Sequence, residues 1–201
     1  MTTPTEQTAD LLRAVLAKLA PVVGAITPEH RHDPTPCTAF DVEQLRDHVL
    51  GWLTNFAAGF ADPNGQAPRS DNDGYHGPAE AADAAAQVDL AAARLDQAIR
   101  AGAAARLLRL GVAAMPGELA LGMILWEYQV HGWDLARATG QEWSVPAAAT
   151  EASLTFAPTM LGPDYQGEGK PFANPVVVPD GASPLDRLVA LSGRDPNWPG
   201  T

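Results

Sequence analysis

Three side chains in the segment WEYQVHGWDLARATG have the types and spacing that metal and acid–base chemistry require. Glu127 and His131 are four residues apart, and Asp134 follows three later. On a helix, residues at i and i+4 lie about 5–6 Å apart at Cβ, so both side chains can grip one ion. At about 100° per residue from Ile124, Glu127 falls near −60°, His131 near −20° and Asp134 near −80°, beside Leu135 near +20°. An acid and a histidine therefore point inward among residues that must be buried, whereas Trp126 and Trp133 face the other way, toward another element or the surface. A buried carboxylate needs a partner, since leaving it unpaired costs on the order of several kcal/mol or forces protonation. A second candidate lies in LRDHVLGW, where His48 sits at the edge of the face carrying Leu45, Trp52 and Phe56.

Together His48, Glu127 and His131 make a two-histidine, one-carboxylate set, which leaves coordination positions open for water or substrate. The competing reading is a buried Glu127–His131 ion pair with His48 elsewhere, and spacing alone leaves the two even. Other candidates are weaker. His30 and His32 in EHRHD read as a solvated loop, and His76 lies in a polar loop. Cys37 precedes a helix whose dipole could lower its pKa, but a lone cysteine is more often packing. The chain has no HExxH, G-x-S-x-G, P-loop or dinucleotide fingerprint, which sets those enzyme classes aside.

The elements that must position these side chains read as helices. Apolar residues recur at helical spacing over about 5–23 (Leu11, Leu12, Val15, Leu16, Leu19) and about 41–60 (Leu45, Val49, Trp52, Leu53, Phe56). An alanine-rich segment at 79–100 and a segment from Pro116 to Gly140 make four. A polar Pro/Gly/Asn/Asp loop at 62–78 has the length that often shapes a pocket mouth. Beyond Gly140 come a short helix at 146–160, a Gly/Pro-punctuated stretch at 161–183, a last helix at 184–191 and an irregular end. Val176–Val178 is too short and proline-flanked to read as a strand. The expected fold is all-α: a four-helix bundle over about 5–140, with an extra short helix or two and a capping tail at 141–201, in a single domain.

Composition narrows the function classes. The chain has 201 residues, 13 Lys+Arg against 24 Asp+Glu, a net charge of −11, and 46% hydrophobic residues. That is a globular chain with no basic stripe, so neither nucleic acid nor an anionic membrane surface is an expected partner. The apolar stretch 119–130 is too short to span a bilayer and contains Glu127. The acidic start, MTTPTEQTAD, does not read as a signal peptide, and a single cysteine excludes an intrachain disulfide, so the expected location is cytoplasmic.

The segments PTPCTAFDVEQLRDHV, EYQVHGWDLARATGQ and ASPLDRLVALSGRDPNW resemble the DinB-like superfamily. More narrowly, they resemble an actinobacterial metal-binding branch of unknown activity related to mycothiol-dependent maleylpyruvate isomerase. The resemblance implies a bundle holding a divalent metal with three side chains from two helices: His48 matches the histidine of the second helix, and Glu127 and His131 match the Glu-x-x-x-His pair. Asp134 matches an acidic position just after the pair, where it would orient a ligand, act as a catalytic base, or replace Glu127. Zinc is the default ion, with nickel, iron and manganese as alternatives. Position 40 is Phe where relatives often carry Trp, and about 60 residues follow Gly140 where the isomerase carries a separate C-terminal domain, so the resemblance does not imply the same substrate. The implied function is a metal-dependent enzyme, a thiol transferase or isomerase, that uses mycothiol as cosubstrate on a small molecule. Its alternative is a non-catalytic metal- or ligand-binding protein, and a homodimer suits a bundle of this size.

Overall fold

A computed structural model of the chain describes residues 2–62, 64, 72, 74–110, 114–170 and 172–200. Most of the polar loop expected at 62–78 lies outside the described residues, which retain its flanks and Asn72, Gly74, Tyr75, His76 and Gly77.

Four long helices form the bundle. Helix α1 (Pro4–Gly24) starts at a capping box in which Thr3 and Glu6 satisfy each other's backbone N–H groups, with a proline in its first turn. Helix α2 (Val42–Ala61) starts the same way, from Asp41 and Gln44. Helix α3 (Ala81–Arg100) buries a stripe of Ala84, Val88, Ala91, Leu95 and Ala98, in which small alanines alternate with larger apolar side chains. Helix α4 (Gly117–Ala138) is buried on most of its circumference, as a helix covered on several sides must be. Helices α1 and α2 each pack against both α3 and α4. Leu16, Leu19, Leu45, Leu53, Leu95 and Leu121 fill the space between them. The all-α expectation holds, with helix ends within a few residues of those read from the sequence.

One element was not foreseen. Between α3 and α4 the chain makes a hairpin of β1 (Leu107–Arg109) and β2 (Ala114–Pro116), antiparallel with Leu108 opposite Met115. Three residues per strand are too few for an alternating pattern to register, and Pro116 ends β2 while preceding α4.

After α4, helix α5 (Ala147–Phe156) packs on α4 and α1, and α6 (Pro184–Leu191) packs on α5. Gln129, fully buried on α4, donates to Ser153 Oγ and to the carbonyls of Leu125 and Ala149, and accepts from Thr150 Oγ1. Trp126 donates from Nε1 to Ser192 Oγ at 2.9 Å and lies against Phe172, so the outward face of α4 is covered by the chain's last third. Trp133 is also buried, under the guanidinium of Arg137. Residues 176–178 form no strand. Among the described residues no helix is long and apolar enough to cross a membrane.

Candidate functional site

His48 on α2 and His131 on α4 face each other across the bundle, ring centroids 5.3 Å apart. A hydrogen bond from the buried Tyr128 Oη to the Val49 carbonyl, 3.0 Å, ties the two helices together one residue away from His48 and from Glu127. Burial pushes the Tyr128 phenol well above its ordinary pKa, so it stays a donor.

His48, Glu127 and His131 line one cavity of about 630 Å³, together with Cys37 and Arg194. Burial pushes the His48 imidazole down to about 4, with His131 adding to the effect, so His48 is neutral and has a lone pair available at physiological pH. Burial pushes the Glu127 carboxyl up, against the pull of His131 and Arg194. Among the described residues, neither the His48 ring nor the Glu127 carboxylate has a hydrogen-bond partner.

His131 is held differently. Its Nδ1 lies 3.3 Å from Asp134 Oδ2, so the ion-pair partner of His131 is Asp134, not Glu127 as the ion-pair alternative required. Asp134 is fully buried behind His131 and does not line the cavity. Arg194 pairs with it, donating from Nη2 to Oδ2 at 3.0 Å and from Nε to both oxygens at 3.3 Å. Burial works to raise the Asp134 carboxyl, but Arg194 and then His131 outweigh it and hold it below the usual carboxylate range. Asp134 is thus a carboxylate with its charge balanced, accepting from an imidazole whose other nitrogen, Nε2, is left for a ligand.

Arg194 was not singled out from the sequence. It stands in the irregular segment after α6, where periodicity says nothing, and the available signal was indirect: a buried Asp134 demands a cation. The chain turns back toward α4 at Gly193, whose φ of +82° and whose approach to the Ala173 carbonyl exclude a side chain. Arg194 Nη1 donates to the Ser192 carbonyl at 2.7 Å.

Cys37 reaches the same cavity, but burial pushes its thiol up, with Arg194 lowering and Asp134 raising it. The dipole-lowered thiolate considered from the sequence is therefore not formed; the α2 N-terminus is already capped by Asp41. His30, His32 and His76 lie away from the cavity. His30 Nδ1 accepts from the Thr27 backbone N–H, His32 stands by Asp41, and His76 stands by Asp47.

Two imidazoles and a carboxylate lining one cavity have the donor chemistry of a divalent-ion site. As they stand, no three His, Cys, Asp or Glu side chains among the described residues converge on one ion position.

No solved structure matches the chain. An uncharacterized protein of Mycobacterium tuberculosis, matched in two strains, is 31% identical over 161 residues, covering 80% of this chain and 83% of the relative. The description "mycothiol maleylpyruvate isomerase N-terminal domain" matches residues 12–136, a span holding α2, nearly all of α4 and all three candidate ligands, and the chain therefore belongs to that DinB-like family.

Proposed function

We propose that this protein is a metal-dependent enzyme that acts on a small electrophilic molecule with a low-molecular-weight thiol, mycothiol by family. The observation that supports it is the arrangement at one cavity: His131 has Nδ1 committed to the buried Asp134, while the His48 ring and the Glu127 carboxylate line the same space and have no hydrogen-bond partner among the described residues.

His48, Glu127 and His131 would hold the ion, with zinc the first choice for this donor set and nickel, iron or manganese the alternatives. The ion would supply acidity, lowering the pKa of a bound thiol so that thiolate is available at neutral pH. The chain's own residues do the rest. Asp134 positions the His131 ring and fixes the tautomer that leaves Nε2 free. Arg194 keeps Asp134 ionised, and with both oxygens engaged Asp134 serves as a positioning residue, not as a proton carrier. The wall of the cavity excludes water from the reacting atoms and orients the electrophile (an activated alkene, an epoxide or a carbon bearing a leaving group) toward the thiol.

The test is metal content by mass spectrometry on protein purified without a histidine tag, beside a His48→Ala/His131→Ala variant. About one equivalent in the wild type and none in the variant is the expected result. No metal in the wild type, even after reconstitution with zinc, nickel, iron and manganese, would overturn the reading.

A further inference from the structure

Resting on that reading of the cavity, we infer that its substrate is a neutral, largely apolar molecule of aromatic size and not a small anion. The walls argue for this. Trp52 and Phe56 stack with ring centroids 5.4 Å apart and present a continuous aromatic surface on α2. Met123 of α4 and Met115 of β2 continue it with flexible thioethers that adapt to irregular ligands. Phe172 and the half-exposed Tyr165, both from the segment between α5 and α6, complete the rim. At about 630 Å³ the space falls in the range of ligand pockets, roughly 300–1,000 Å³, that enclose molecules of one or a few rings.

The charges point the same way. Among the described lining residues Arg194 is the one guanidinium or ammonium, and its charge is already balanced by Asp134, to which Nε and Nη2 donate, while Nη1 donates to the Ser192 carbonyl. An incoming carboxylate would shed its water without gaining a free cation, and would meet Glu127 on the same wall. Glu127 and a bound thiolate would together balance the two charges of a divalent ion, which leaves no surplus to attract an anion. The chain's net charge of −11 adds a long-range repulsion. An uncharged molecule meets none of these obstacles and gains from covering the aromatic and thioether surface.

Two dyes of one shape separate the possibilities: neutral N-phenylnaphthylamine and its sulfonated counterpart, anilinonaphthalenesulfonate. Each is titrated by fluorescence into the 201-residue chain stripped of metal. The expected result is saturable one-to-one binding of the neutral dye, at least about tenfold tighter than the sulfonate. Met123→Asp, which sets a carboxylate in the wall, should weaken the neutral dye by about tenfold or more with its circular dichroism melt retained. Met115→Gln on the hairpin serves as the second variant if Met123→Asp does not fold. Equal or tighter binding of the sulfonate, or no loss in the folded wall variants, would overturn the inference. Metal content measured on the protein as purified, before the ion is stripped for the titrations, keeps the two readings apart. Dye selectivity without metal strikes the enzyme reading alone, and metal without dye selectivity strikes the substrate class alone.

Discussion

Asp134 is a carboxylate removed from water entirely, and its two neighbours show what that requires. Arg194 supplies the compensating charge and His131 the imidazole whose orientation the carboxylate sets. Asp134→Asn keeps the shape and removes the charge, so a chelator-competition titration should show metal affinity reduced by about 10–100-fold. Arg194→Met should act on the fold as well: an unpaired buried carboxylate typically costs about 3–5 kcal/mol, read as a lower midpoint in urea. The double variant Asp134→Asn/Arg194→Met should regain much of that loss, because no charge is then stranded; a double variant as unstable as Arg194→Met alone would show that Arg194 acts through packing. Of this group, Glu127, His131 and Asp134 were legible in the sequence because they share one helix, where the period alone places them on one side. Arg194 was not, because its pairing spans 60 residues and an irregular segment carries no period.

Helices α2 and α4 place His48 opposite Glu127 and His131 only if their relative height is right. Tyr128 and Val49 hold that height, with a hydrogen bond next in sequence to His48 and to Glu127. Tyr128→Phe should cost about 0.5–1.5 kcal/mol of stability and also weaken metal binding, measured by denaturation and by the same chelator titration. An unchanged metal affinity would mean that packing alone sets the register. The turn after α6 carries a comparable constraint. A Cβ at Gly193 would come 2.7 Å from the Ala173 carbonyl oxygen, on a residue with positive φ. Gly193→Ala should therefore destabilise by at least about 1–2 kcal/mol and displace Arg194 from Asp134, which a crystal structure or a metal titration would reveal.

The last third of the chain behaves as part of the core. Trp126 is bonded to Ser192, Arg137 to the Trp198 carbonyl at 2.8 Å, and Arg194 to Asp134, while Leu188 and Val189 are fully buried. Amide hydrogen exchange should therefore find the residues of α6 protected to the same free energy as the middle of α4, opening with the whole molecule. Faster, independent exchange in α6 would show instead a cap that leaves the bundle intact when it opens. The sequence by itself determined the helical class, the helix ends to within a few residues, and the inward faces of α2 and α4. Those features follow from contacts within a turn or two of one helix, and such contacts are written in local residue types. Only the tertiary structure decided that Arg194 neutralises Asp134, that Cys37 shares the cavity, that a hairpin enters between α3 and α4, and that the site is walled by aromatic and thioether side chains. Each of those depends on segments far apart in the chain being packed together, and the period of a single element holds no record of its neighbours.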